Sequence, residues 1–318
     1  MPKVLLADPV PAPLVQRMRP LLPPGIDFDV VPTSEDADFA ARAVDADVLL
    51  VVFRRIDAST LALAPRVRFV QRVGAGYDNI DVAALATAGV PVGYTPGANA
   101  VGVAEHTILL MLALLKRLPR TEQATRAGRL DHYEAVQAGI GDLVGSTIGL
   151  VGIGAIGQEV ATRLAAFGPE LLYTSRRRLD PSVEARLALT YKPLPALLAA
   201  ARIVSLHLPL TNETHGLLGK AELAQMRPGA LLINTSRGGI LDEDALLHAL
   251  ESGHLGGAGL DVLEHEQDNH NAFANRPDVI VTPHVAGSSQ ASVQRMIQQA
   301  IANVVQFLAG KTPTHLAR

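Results

Sequence analysis

The chain has 318 residues, 48% of them hydrophobic and 19% charged, too many for one ordinary core and too apolar for a disordered chain, so two folded domains are expected. Lys+Arg 28 against Asp+Glu 31 gives a formal net charge of −3 and no general basic field; nucleic acid is not an expected partner, and any anion must meet a local site. The absence of cysteine excludes disulfides, thiolate metal sites and a cysteine nucleophile, fits the reducing cytoplasm, and leaves redox chemistry to a bound cofactor.

In chain order, "MPKVLLADPVPAP" has only a short apolar run before Asp8 and no signal-peptide core. Short continuous apolar runs then recur: "VLLA" (4 to 7), "FDVV" (28 to 31), "VLLVVF" (48 to 53) and "RFVQ" (68 to 71). Runs of this kind between helical patterns predict a parallel sheet buried on both faces. After the "TPG" turn at 95 to 97, residues 99 to 120 predict one long helix. Its apolar stretch "ILLMLALL" is too short to span a bilayer, so no membrane association is expected. Its nearly all-round apolar surface exceeds what one sheet face needs and predicts a homodimer through the 99 to 145 region, with Thr121 to Gly145 as an arm around the partner. A second set of strands follows at "TIGLVG" (147 to 152), "LLYT" (171 to 174), "IVSLHL" (203 to 208), "ALLIN" (230 to 234), "GAGLDV" (257 to 262) and "VIVTPH" (279 to 284). The segment "SSQASVQRMIQQAIANVVQFLAG" is a final helix whose simplest packing returns to the first unit. The expected fold is α/β, with two doubly wound parallel-sheet units joined by long helices.

The strand "TIGLVG" runs into "GIGAIG", which places Gly152, Gly154 and Gly157 in the pattern G-x-G-x-x-G ahead of the helical "QEVATRLAAF". The first glycine permits the tight turn, the second lets backbone approach a pyrophosphate, and the third lets the helix sit close on the sheet. The helix N-terminus then binds the anion, which predicts a Rossmann-like dinucleotide site. The second strand of such a unit normally ends in an acid that hydrogen-bonds the ribose 2′-hydroxyl of NAD. Here that place falls in "LYTSRRR" at about Ser175, followed by Arg176 and Arg177. A hydroxyl and two guanidinium groups suit a 2′-phosphate, so NADP is expected in preference to NAD, with NAD still usable.

Three further pieces stand at the C-terminal ends of later strands, where an open α/β sheet binds its ligands: "NTSRGGILDEDAL" (234 to 246), "LGGAGLDVLEHEQ" (255 to 267) and "VTPHVAGSS" (281 to 289). With "VGAGYDNID" (73 to 81) and "GANAVGVAEHT" (97 to 107), they resemble the D-isomer-specific 2-hydroxyacid dehydrogenases over nearly the whole chain. The resemblance implies a discontinuous, flavodoxin-like substrate domain of residues 1–98 and 287–318 and an NAD(P)-binding Rossmann domain of residues 99–286. It places the catalytic arginine, glutamate and acid/base histidine on Arg237, Glu266 and His284, and the nicotinamide-amide partner on Asp261. Ala155, Ile156, His207, Pro209, Thr214 and Thr235 join the implied cofactor contacts. The backbone amides of Val73, Gly74, Ala75 and Gly76 fall where the substrate carboxylate is held, and Val52, Phe53 and Arg54 border the pocket. One departure is Gln267, which stands where a proline usually follows the glutamate, before the unusual loop "DNHNAFANRP".

The implied chemistry suits these residues. Reducing a 2-oxo acid to the D-2-hydroxy acid needs a hydride on the carbonyl carbon and a proton on its oxygen. A histidine can exchange that proton, a neighbouring carboxylate can orient it, and an arginine can stabilise charge on the substrate. The aromatic Phe53 favours a small substrate such as glyoxylate or hydroxypyruvate. Arg54 keeps a phosphorylated acid such as phosphoglycerate open, and relatives acting on phosphite or formate remain alternatives. So does a dinucleotide-sensing interaction protein of the same fold, although that role would not need Arg237, Glu266 and His284 together. No metal is called for.

Overall fold

The computed structural model describes residues 1–129, 132–137, 139–268 and 271–317. The chain forms two compact units, Met1–Asn99 with Ser288–Arg318, and Ala100–Gly287. In the first, β1 (Lys3–Leu6), β2 (Asp27–Val30), β3 (Val48–Val51), β4 (Phe69–Arg72) and β5 (Val92–Gly93) make a sheet ordered β2-β1-β3-β4-β5. Every pair is parallel, so each connection must cross over, through α1 (Ala12–Met18), α2 (Asp36–Ala43), α3 (Ala58–Ala62) and α4 (Val82–Thr87). The unbroken apolar runs follow from this burial. Leu5, Leu49, Val51 and Val70 enter one core, and Val4, Leu6, Val48, Leu50 and Phe69 enter the other.

The second unit opens with α5 (Ala100–Leu115), α6 (Leu118–Arg126) and α7 (His132–Gln137). The single helix expected over 99 to 120 is therefore broken. A proline at 119 would drive its ring into the carbonyl four residues back, and the chain turns before it, with Arg117 at φ 49°. The apolar circumference of α5 also has an internal explanation. Eleven of its 16 residues are buried, with α8 (Ala155–Leu164) on one side and strands of the sheet on the other, and Leu109 is its exposed large apolar residue. Parts of the expected wrapping arm, residues 130, 131 and 138, lie outside the described residues, as do residues 269 and 270 of the unusual loop.

The remaining elements are β6 (Thr147–Val151), β7 (Glu170–Thr174), α9 (Pro181–Leu187), β8 (Leu189–Tyr191), α10 (Leu194–Ala200), β9 (Ile203–Leu206), α11 (Lys220–Gln225), β10 (Ala230–Asn234), α12 (Glu243–Glu251), β11 (Leu255–Leu260) and β12 (Val279–Val281). They form a parallel seven-stranded sheet ordered β12-β11-β10-β9-β6-β7-β8. The chain leaves β6 toward β7 and β8, then returns to pair β9 on the other flank of β6. That reversal is the switch point at which an open α/β sheet leaves a crevice. Strands β5 and β8 were not legible in the sequence, since one is the two-residue pair Val92–Gly93 after a proline and the other is only three residues long.

The last helix, α13 (Gln290–Leu308), packs Ile297, Ala300, Ile301 and Val304 into the core of the first unit. Its buried Asn303 donates from Nδ2 to Gln71 Oε1 at 3.0 Å, a polar tie between α13 and β4. Beyond it, Leu316 pairs antiparallel with Gly93 and covers the edge of β5. Among the described residues, no helix is long and apolar enough to cross a membrane.

Candidate active site

The switch point shows why glycine stands at two of the three motif positions. Gly152 has φ 97°, and a Cβ there would lie 2.4 Å from the His207 carbonyl oxygen at the end of β9. A Cβ on Gly157 would lie 2.5 Å from the Gly152 carbonyl oxygen, so α8 could not approach the turn. Gly154 is different. A Cβ on it would meet nothing within 4 Å, so packing within the protein does not demand glycine there, whereas a ligand pressed onto the turn would. No side chain caps α8, and Ala155 and Ile156 open its first turn, whose N–H groups an uncapped helix leaves for a ligand or water. These residues fit a bound dinucleotide pyrophosphate.

The three arginines after β7 divide into two roles. Arg178 is held by Glu184, with Nε to Oε1 at 2.8 Å and Nη2 to Oε2 at 3.0 Å, and lies over the Tyr191 ring. Tyr173 donates its hydroxyl to the same carboxylate, and Arg178 first, then Tyr173, holds Glu184 down to about 2. Arg176 and Arg177 are exposed, and the Ser175 hydroxyl donates to the Arg177 carbonyl and tightens the turn between them.

Three neighbouring strand ends supply the other polar groups. At the end of β10, the buried Asn234 accepts from Ser236 N at 3.0 Å and from its hydroxyl at 2.7 Å, and donates to the Arg237 carbonyl at 2.9 Å. This turn sets Arg237, whose Nη1 donates to the Ser236 carbonyl. A Cβ on the next residue, Gly238, would lie 2.1 Å from the Leu263 carbonyl carbon, so the turn is pressed onto the loop after β11. That loop carries Glu266, whose Oε1 accepts from Leu263 N at 3.0 Å and whose Oε2 lies 2.9 Å from His284 Nδ1. Burial alone would raise the Glu266 carboxyl, but His284, the Leu263 N–H and Arg237 outweigh it and hold the carboxyl below its ordinary value. Glu266 is thus an anion that accepts from the Nδ1–H, which leaves Nε2 as the other ring nitrogen of His284, not engaged by Glu266. The contact between Glu266 and His284 is thus present in a chain that lacks the usual proline at position 267.

His284 sits at φ 54°, a left-handed conformation that its surroundings must enforce. Its N–H donates to the Asp261 and Thr282 carbonyls, both at 2.9 Å. The Asp261 carboxylate, 1% exposed, accepts from Thr282 Oγ1 at 2.6 Å, Val285 N at 2.9 Å and Ala286 N at 2.8 Å. Asp261 therefore organises the histidine loop, with only its residual acceptor capacity free for a nicotinamide amide. Thr235 lies 2.9 Å, hydroxyl to hydroxyl, from Thr107, and Thr214 donates to the Pro209 carbonyl at 2.7 Å in the loop after β9. His207 contacts Ser205 Oγ through Nε2 at 2.9 Å, while its Nδ1 is buried without a partner among the described residues.

In the first unit, Asp8 carries a role that sequence reasoning missed. Its buried carboxylate gathers Val52 N at 2.6 Å, Phe53 N at 3.0 Å and Arg54 N at 2.6 Å, a loop that leaves Phe53 77% exposed. Arg54 is not available to a phosphate. Its Nε donates to the Ala7 carbonyl, its Nη atoms to Asp36 and the Ser34 carbonyl, and it stacks 4.6 Å from the Phe39 centroid with 9% of its side chain exposed. The expected amide cradle is also narrower than Val73 to Gly76. The Val73 N–H continues the ladder to the Val51 carbonyl at 2.8 Å, and only those of Gly74, Ala75 and Gly76 take no backbone partner among the described residues.

Comparison with known proteins agrees with this arrangement. Residues 108–286 match the model of the "D-isomer specific 2-hydroxyacid dehydrogenase, NAD binding domain". The chain is 35% identical over 280 residues to the glyoxylate reductase of Thermococcus litoralis, covering 86% of this chain and 84% of that protein. It is 38% identical over 286 residues to the glyoxylate reductase of Aeropyrum pernix, covering 87% and 84%. The chain belongs to the D-isomer-specific 2-hydroxyacid dehydrogenase family. The solved structure of the TT0316 protein from Thermus thermophilus superposes with a TM-score of 0.88 at 33% identity, covering 99% of this chain and all of that one. As a member of this family the chain is an oxidoreductase that binds a nicotinamide dinucleotide.

Burial pushes the His207 imidazole down to about 4 from 6.5, so it is neutral at pH 7. The folded state then binds fewer protons than the unfolded chain between these values, and stability is lost as pH falls through that window. The expected slope is up to about 1.4 kcal/mol per pH unit from this group. Thermal unfolding of wild type and His207→Gln between pH 7 and pH 4 checks it, with a shallower loss expected in the variant.

Proposed function

We propose that the chain reduces a small unphosphorylated 2-oxo acid, glyoxylate or hydroxypyruvate, to the D-2-hydroxy acid, with NADPH preferred over NADH. The observation that carries this reading is the His284 Nδ1 to Glu266 Oε2 contact at 2.9 Å, formed on a loop next to the turn that sets Arg237. When bound, the reduced nicotinamide supplies the hydride. Gly152, Gly154, Gly157 and the first turn of α8 hold the pyrophosphate, and Asp261 offers its remaining acceptor to the carboxamide. His284 Nε2 gives a proton to the carbonyl oxygen, and Glu266 keeps the ring oriented and stabilises the charged imidazolium. Arg237 stabilises negative charge on the substrate carboxylate and on the oxygen as it gains electrons. Within the first unit, the amides of Gly74, Ala75 and Gly76 suit an acid's carboxylate, and Val52 and Phe53 directly follow β3.

Substrate and cofactor choice rest on which arginines already have partners in the fold. The committed guanidinium of Arg54 argues against a phosphorylated acid. Arg176 and Arg177, exposed beside Ser175, favour the 2′-phosphate of NADP, whereas Arg178 serves the fold. A homodimer is supported less by α5 than by the stretch after it, where Leu118, Tyr133, Val136, Ile140 and Val144 are all exposed. The protein is expected to work in the cytoplasm.

Turnover followed at the nicotinamide absorbance with glyoxylate, hydroxypyruvate, pyruvate and phenylpyruvate tests the reaction. His284→Ala is expected to lower kcat by roughly 10²-fold or more with dinucleotide affinity little changed, and phosphohydroxypyruvate to be the poorer substrate. Bound dinucleotide without turnover of any 2-oxo acid would favour the sensing role instead.

Catalytic efficiency with the two cofactors, at fixed low salt, separates the arginines. Arg176→Ala is expected to lower the preference for NADPH roughly tenfold, the loss of one charged hydrogen bond. Arg178→Ala is expected to leave the preference unmoved and to lower the thermal midpoint, because it removes the cation from Glu184 and leaves the Tyr173 hydroxyl as its partner.

Light scattering on the intact chain is expected to give twice the 33.6 kDa chain mass. Tyr133→Asp with Val136→Asp should shift it to the single-chain mass if this surface is the interface.

A further inference from the structure

The stretch "GANAVGVAEHT" has no part in the reaction as derived, yet two of its residues reach two of the loops that carry it. On α5, His106 Nε2 lies 3.0 Å from Thr282 Oγ1 and 3.6 Å from Asp261 Oδ1. The next residue, Thr107, donates its hydroxyl to the Val103 carbonyl at 2.8 Å, so its oxygen is the acceptor for the Thr235 hydroxyl at 2.9 Å. One helix turn thus braces the loop after β12, which carries His284, and the end of β10, which carries Arg237.

The direction of the first brace follows from counting protons. A hydroxyl has one hydrogen, and a carboxylate only accepts. Thr282 is 2.6 Å from Asp261 Oδ1, so its proton goes there, and Thr282 must accept from His106. His106 therefore carries its hydrogen on Nε2. The chain of donation continues, since Asp261 also receives the N–H groups of Val285 and Ala286, which directly follow His284. The side chain of His106 is 15% exposed and that of Asp261 1%, so water competes poorly for these bonds.

We propose that His106 is a positioning residue for the acid/base loop. It fixes the Thr282 hydroxyl, which fixes the Asp261 carboxylate, which holds the backbone on either side of the left-handed His284. Replacing His106 by an apolar group frees Thr282 to rotate, weakens the hold on Val285 and Ala286, and lets His284 drift from its working geometry. An error of about 1 Å in such a group can cost up to roughly 10²-fold in rate. The kinetic part of this inference rests on the proposed reaction, and the backbone part does not.

The test measures native-state amide exchange and steady-state kinetics in His106→Leu, His106→Gln, Thr282→Val and the His106→Leu, Thr282→Val double variant. In His106→Leu, exchange at Val285 and Ala286 is expected to rise tenfold or more, while that of Leu232 and Ile233 in β10 stays at the wild-type rate. In the same variant kcat should fall by roughly 10- to 100-fold, with the KM for dinucleotide within about twofold. His106→Gln, which restores a donor, should recover much of both effects. Thr282→Val should reproduce them, and the double variant should be no worse than either single one, as for members of one chain. Unchanged exchange at Val285 and Ala286, or additive losses in the double variant, would overturn the proposal. If His106→Leu does not fold, the Thr282→Val and His106→Gln pair decides by the same readouts. A wild type without turnover would strike the proposed reaction, and amide exchange would still decide the role of His106.

Discussion

The close approach of Gly152 to the His207 carbonyl oxygen is the constraint on which the nucleotide unit is built. It exists because β6 is flanked by β7 on one side and β9 on the other, so the chain must leave the sheet at Gly152 right beside the strand that returns from the opposite direction. A side chain cannot fit there, and φ 97° would strain one even if it could. Once the two connections diverge from this point, every strand end on that edge is free to carry chemistry. The first turn of α8, Ser175 to Arg177, Arg237, Asp261 and His284 all emerge along it.

A second layer of order comes from buried carboxylates that gather loop amides. Asp261 does this for the histidine loop, and Asp8, in the other unit, does it for Val52 to Arg54. An ionised carboxylate taken from water is costly unless its lone pairs are filled. In both places short hydrogen bonds from backbone N–H groups fill them, and the loop acquires one defined shape as a result. Asn234 achieves the same for the Arg237 turn with a neutral amide. The candidate reactive side chains are thus held by other polar groups, and these in turn are anchored in the sheet.

Charge placement follows the same logic. Arg54 and Arg178 both stand in sequence next to residues expected to touch ligands, and both are diverted. Each has an aromatic ring beneath its guanidinium, Phe39 for Arg54 and Tyr191 for Arg178, and an acid within hydrogen-bond reach. A planar cation satisfied on its edge and its face has little left for an anion. Arg176, Arg177 and Arg178 are all exposed, and what sets Arg178 apart is the acid and the ring that it meets.

The sequence by itself determined the architecture and the candidate reacting groups. Unbroken apolar runs imply strands buried on both faces, G-x-G-x-x-G after such a strand implies a phosphate-binding turn, and Arg237, Glu266 and His284 lie in recognisable motifs at strand ends. These features are local, since they depend on residue type and on spacing within one or two elements. Only the tertiary structure decided that the helix expected to end at residue 120 stops at Leu115, that α5 is buried mainly in its own unit, that Arg54 and Arg178 are committed to the fold, and that the Val73 amide belongs to the sheet. The brace from His106 to Asp261 was equally hidden, because it joins residues 155 positions apart. Whether a guanidinium, an amide or an imidazole is free depends on which distant atoms reach it first, and spacing along the chain carries no record of that competition.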